Sequence, residues 1–131
     1  MKTVIQRVSE ARVEVGGSVV GRIGPGLLVL VCAMPADTTA TADRLLQKLL
    51  KLRVFNNSEG KLDHDLANVD GHGTAGGLLL VSQFTLSADT HKGNRPSFVG
   101  SAPSAQARAL FDYLVGQAKL VHPDVAMGCF A

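Results

Sequence analysis

Apolar and polar residues alternate from Ala11 to Val15, with Ala11, Val13 and Val15 on one side and Arg12 and Glu14 on the other. That period of two predicts a half-buried strand. Gly16-Gly17 supplies a turn, and Val19 to Ile23 is the expected hairpin partner. Gly24-Pro25-Gly26 ends the hairpin, and Leu27 to Ala33 follows as a continuous apolar run, the pattern of a strand buried on both faces. The period then changes. After Pro35, Asp37-Thr38-Thr39 offers capping side chains, and Leu45, Leu46, Leu49, Leu50 and Leu52 recur near helical spacing. Val54-Phe55 begins another strand, broken by Asn56-Asn57-Ser58-Glu59-Gly60. A polar, glycine-rich stretch from Asp63 to Gly77 leads into an apolar strand, Leu78 to Phe84. Pro103-Ser104 opens a second helix whose buried stripe is Ala107, Leu110, Phe111, Leu114, Ala118 and Val121. His122-Pro123 stops it, and Val125 to Phe130 reads as the start of a further strand. A hairpin first, with helices inserted later, predicts an α+β fold.

The 131 residues form one domain, 1–131, large enough for a single hydrophobic core. No apolar run approaches the roughly 18 residues that a membrane span needs. The first residues turn polar too soon for a signal peptide, so a cytoplasmic location is the expectation. Two cysteines make no disulfide framework, and Cys32, inside an apolar run, is expected to pack as a small hydrophobe. A net charge of +2 cannot hold a nucleic acid by a global field, so an RNA partner would need a local patch and shape. Arg44, Lys48, Lys51 and Arg53 lie along and just beyond the first helix. They suit the helix dipole, and they equally suit RNA contact.

The chemical candidates gather at the end of the Leu78 strand. Ser82, Gln83 and Thr85 cluster there, and a punctuated loop then carries Asn94, Arg95 and Ser97. Strand ends position polar groups rigidly, and the loops beside them are where binding and chemistry concentrate. A threonine hydroxyl is a poor nucleophile without a nearby base, so Thr85 fits hydrogen-bonding of substrate or oxyanion better than direct attack, and residue type alone favours a strand-end turn in which these hydroxyls satisfy backbone groups. Arg95, with Lys92, Asn94 and Ser97, fits either a phosphate or terminal ribose or a solvated loop. Asp63, His64, Asp65, Asp70, His72 and His91 match no zinc spacing and read as a solvated loop, so no metal is expected. His122 is expected only to end a helix.

Ser82-Gln83-Phe84-Thr85-Leu86 with Arg95-Pro96-Ser97-Phe98 resembles the two signature motifs of the D-aminoacyl-tRNA deacylases. The likeness also takes in Val4 to Ala11, Gly26 to Val31 and Gly128-Cys129-Phe130-Ala131. It implies mainly antiparallel sheets forming a barrel-like core, with helices outside and a homodimer whose active site lies at the subunit interface. It implies a hydrolase that uses no metal or other cofactor. The substrate would be the ester joining a D-amino acid, or glycine, to the 3′ end of tRNA, with no DNA and no membrane as partner. On this likeness Ser82, Gln83, Phe84 and Thr85 are catalytic. Arg95, Pro96, Ser97 and Phe98 bind substrate with Arg7, which braces the site.

The family's chirality filter is a Gly-Pro pair with a cis peptide bond, lying after the match to Gly128–Ala131. Gly24-Pro25 is the only Gly-Pro before Ala131 and lies elsewhere in the pattern. The expectation is a chain truncated relative to the family, with impaired activity and stability. Two rival readings follow: a tRNA 3′-end binding protein without turnover, and a small-molecule esterase with Thr85 as nucleophile.

Overall fold

The computed structural model describes residues 1–83, 94 and 102–129. Its strands are β1 (Lys2–Val8), β2 (Ala11–Val15), β3 (Ser18–Ile23), β4 (Gly26–Cys32), β5 (Phe55–Asn56), β6 (Leu62–His64), β7 (Gly77–Ser82) and β8 (Val125–Cys129). Helix α1 spans Thr39–Lys51 and α2 spans Ser104–Val121. A four-stranded sheet in the order β1-β4-β7-β8 forms the middle layer. Strand alternation divides its side chains between two faces. Leu27, Val29 and Val31 of β4, with Leu78 and Leu80 of β7, pack against Leu46 and Leu49 of α1 and Phe111, Leu114 and Ala118 of α2. The opposite face buries Leu79 and Val81 against Val13 and Ile23 of the β2–β3 hairpin.

The architecture is α+β, but two features depart from the antiparallel barrel. Only β1 runs antiparallel to β4, whereas β4 with β7, and β7 with β8, are parallel. The reason lies in the connections: α1 falls between β4 and β7, and α2 between β7 and β8, and a helical crossover returns the chain in the same direction. Among the described residues the barrel is also not closed. The β2–β3 hairpin pairs only with itself and covers one face of the sheet instead of joining its ladder.

The hairpin follows from its turn. Gly16 and Gly17 both take positive φ, 56° and 82°, which a tight two-residue connection requires. Helix α1 is capped by Thr38, whose backbone N–H donates to Thr41 Oγ1 at 3.0 Å. Asp37 does something else: it accepts from the Met34 N–H at 2.7 Å and pairs with the Met1 ammonium at 2.8 Å. Two boundaries differ from expectation. Leu62–His64 is a strand paired with Phe55–Asn56, so the polar loop begins at Asp65. On α2, Val121 is 60% exposed and Val115 is buried, because the buried stripe ends at Ala118 and the chain then turns inward at His122.

Candidate active site

The parallel pairing of β4 with β7 decides where Ser82 and Gln83 stand. Ser82 is the last residue of β7, in register with Val31, and the Gln83 N–H continues the ladder by donating to the Val31 carbonyl at 2.8 Å. Both residues are half-buried. A carboxyl-terminal edge of parallel strands is a common place for ligand groups, since the strands fix the backbone while the loops beyond vary. Beside it the chain leaving β4 is held by the Ala102 N–H donating to the Ala33 carbonyl at 3.2 Å. Ala33, Ala102 and Leu110 form a small apolar cluster there. Phe84, Thr85, Arg95, Pro96, Ser97 and Phe98 lie outside the described residues. Asn94 is exposed.

Arg7 is not beside Ser82 within one protomer. It pairs with Leu27, and Leu27 pairs with Leu78, four residues short of Ser82 on β7. At about 3.3 Å per residue and about 4.8 Å per strand, Arg7 and Ser82 are separated by roughly 16 Å. Its Nη1 donates instead to the Val54 carbonyl at 2.9 Å and to Asn56 Oδ1 at 2.8 Å. The guanidinium lines a cleft of about 450 Å³ with Ser9, Pro25, Phe55, Asp70 and Thr74. Asp70 is locked into this loop. Its carboxylate accepts from the Thr74 hydroxyl and from the His72 N–H at 2.8 Å, and these donors, the hydroxyl foremost, lower its pKa from 3.8 to about 2.

Sequence reasoning missed three of these arrangements. Val54 and Asn56 hold Arg7 from nearly fifty residues away, and no local pattern signals them. Asp70-x-x-x-Thr74 is a local signal, since an aspartate commonly accepts from the backbone two residues on. His122 does more than end α2. It is buried, and its Nε2 is 2.7 Å from the Gly76 carbonyl, so it ties the C-terminus of α2 to the start of β7. That places its ring at the opposite end of β7 from Ser82. Among the described residues no group of three His, Cys, Asp or Glu could hold a metal ion. Asp63 is paired with Arg53, and Asp65 accepts from the Ala67 N–H at 3.2 Å.

Residues 4–131 match the family model described as D-Tyr-tRNA(Tyr) deacylase. The chain belongs to that family. It is 61% identical over 128 residues to a D-aminoacyl-tRNA deacylase of Acidovorax ebreus (strain TPSY), covering 98% of this chain and 84% of that protein. A D-aminoacyl-tRNA deacylase of Polaromonas naphthalenivorans (strain CJ2) is 58% identical over 131 residues, covering 100% of this chain and 85% of that protein. Among solved structures, one titled c-Myc DNA Unwinding Element Binding Protein superposes with a TM-score of 0.85 at 33% identity, covering 99% of this chain and 85% of that one. A second, of a probable eukaryotic D-amino acid tRNA deacylase, has a TM-score of 0.74 at 15% identity, covering 98% and 88%, and supports the fold alone. Family membership makes this deacylase-family chain an ester hydrolase by kind. The β7 edge is the place in its fold where Ser82 and Gln83 of the Ser-Gln-Phe-Thr motif stand.

Proposed function

We propose that this chain hydrolyses the ester of D-aminoacyl-tRNA, and of glycyl-tRNA, releasing the amino acid and the tRNA as a quality-control step of translation. The observation that carries the reading is the Ser82-Gln83 pair at the carboxyl edge of β7, in a chain closely similar to proteins named D-aminoacyl-tRNA deacylase. An aminoacyl ester is already activated, so aligned hydrogen-bond donors and a placed water supply most of what the reaction needs. Water oxygen adds to the carbonyl carbon, the bond from that carbon to the ribose oxygen breaks, and the ribose oxygen leaves with a proton derived from the water. Ser82, Gln83 and Thr85 act as donors toward the carbonyl oxygen and the terminal ribose. Phe84, Pro96 and Phe98 give the apolar wall, and Arg95 and Ser97 meet the terminal adenosine and its phosphate.

The active form is a homodimer with its site shared between protomers. The roughly 16 Å between Arg7 and Ser82 within one protomer supports this, since a brace from a second copy would bring the two together. The working location is the cytoplasm, where the substrate is made.

Matched D-tyrosyl- and L-tyrosyl-tRNA test the reading. Cleavage of the D form is the result that supports the reading, and cleavage of the L form beside it would mean that the ester chemistry stands without the chirality filter. Release of neither, while the chain still binds the 3′ end, would leave a binding protein. A covalent acyl adduct on Thr85, with all activity lost in Thr85→Ala, would point to an esterase nucleophile. The donor role predicts no adduct and a partial loss.

A further inference from the structure

Arg44, Lys48 and Lys51 recur at helical spacing on one exposed face of α1, at positions i, i+4 and i+7. With Gln47, Leu52 and Arg53 they line an open groove of about 480 Å³. The Arg53 charge is offset by Asp63, but Arg44, Lys48 and Lys51 have no ion-pair partner among the described residues. Asp43, the acid nearest to them on the helix, is turned away to accept from the Tyr113 hydroxyl at 2.8 Å. The helix dipole accounts for cations only in the last turn. It accounts for Lys48 and Lys51, which are in that turn, and leaves Arg44 unexplained, seven residues before the helix ends.

We propose that this basic row docks the phosphate backbone of the tRNA body. The proposal rests on the deacylase reading for the identity of the polyanion and adds a second, separate contact to it. Position supports it. Helix α1 begins beside the exit of β4, at the Ser82 edge of the sheet, and its 13 residues carry the chain about 20 Å toward the Arg7 end. Within its own protomer the row therefore lies away from the Ser82 edge. Over seven residues it spans about 10 Å, enough for a few successive phosphates of one strand. With a net charge of only +2, the chain has no general field to do this work, so a local row must.

The test compares the parent chain with the triple variant Arg44→Gln, Lys48→Gln, Lys51→Gln, all exposed positions. Fluorescence anisotropy follows binding of deacylated tRNA from 50 to 200 mM salt, with an acceptor-stem-length DNA duplex as comparator. Three lost phosphate contacts should flatten the plot of log affinity against log salt by about two to three. The parent's affinity then falls roughly 20- to 40-fold more than the variant's across that range. The triple variant Arg44→Lys, Lys48→Arg, Lys51→Arg should bind as the parent does. Hydrolysis of a D-aminoacyl adenosine, which carries no phosphate, should be equal in all three. An unchanged salt slope in the neutralised variant overturns the proposal, as does a loss confined to the DNA duplex. The two readings fail separately. Ester hydrolysis with tRNA binding that does not depend on the row sinks only the docking proposal. Row-dependent tRNA binding without hydrolysis of any D-ester sinks only the deacylase assignment.

Discussion

Gly26→Ala should be among the most damaging single-methyl additions to this fold. Gly26 and Gly77 stand opposite each other where β4 and β7 begin their parallel ladder. A Cβ at Gly26 would lie 2.0 Å from the Gly77 carbonyl oxygen, 2.6 Å from its nitrogen and 2.7 Å from its carbonyl carbon. All three are backbone atoms, so no side chain can rotate away, and the two strands must part. Overpacking usually costs about 1–3 kcal/mol, and a clash with backbone belongs at the upper end of that range. At roughly 2.1 cal/mol/K of unfolding entropy per residue, about 3 kcal/mol lowers Tm by about 10 °C in a chain of this size.

The same substitution at Gly116 is the control. It lies exposed within α2, and a Cβ there meets nothing within 4 Å. Gly116→Ala should therefore stabilise by about 0.5–1 kcal/mol, through the entropy that glycine loses in a helix. Thermal unfolding followed by circular dichroism, with urea titrations beside it, reads both. A Gly26→Ala chain whose stability matches the parent within experimental error would refute the close approach of β4 to β7 and with it the placement of Ser82.

Two further outcomes follow from named contacts. His122→Ala removes the partner of the Gly76 carbonyl and leaves a void at the start of β7, so it should cost about 2–4 kcal/mol, seen as a lower urea midpoint at unchanged slope. Asp70 has its folded pKa depressed to about 2, below the unfolded 3.8. Its contribution to stability is therefore full above about pH 4 and is lost as pH falls toward 2. Asp70→Asn should flatten the acid limb of a stability–pH profile between pH 4 and 2, and an unaltered limb would show that the Thr74 and His72 donors do not favour the carboxylate.

Much of this fold was legible because short-range patterns carried it. The Ala11–Ile23 hairpin was readable from alternation plus Gly16-Gly17, and α1 and α2 from their leucine and alanine stripes. The β4 run was readable as a strand, but an apolar run says nothing about direction, since both faces are buried whichever way its neighbour points. Hence the parallel pairing with β7 had to come from the structure. The same limit applied at the site. Ser82 and Gln83 were visible as a polar cluster ending an apolar strand. The positions of Arg7 and His122 were not, because their partners Val54, Asn56 and Gly76 are some 46 to 49 residues away in sequence. Val121 was misplaced because a helical stripe extended by spacing takes no account of where the layer beneath it stops.

The separation of Arg7 from Ser82 leads to a test of the shared site that needs no structure of the dimer. In one protomer the register holds the two apart, and the Val54 and Asn56 contacts aim the guanidinium away. If Arg7 braces the partner's site, Arg7→Ala and Ser82→Ala chains should each be impaired as homodimers. Mixed by unfolding and refolding together, they form heterodimers in which one site has Ser82 from the first chain and Arg7 from the second. That site is intact, and its counterpart carries both losses. Random mixing makes half of the dimers hetero, so about a quarter of all sites should regain parental kcat on D-tyrosyl-tRNA. If Arg7 acts on its own protomer's site, every heterodimer site lacks one residue or the other, and mixing restores nothing. A flat activity across mixing ratios would therefore sink the composite site, and a rise that peaks at equal mixing would require it.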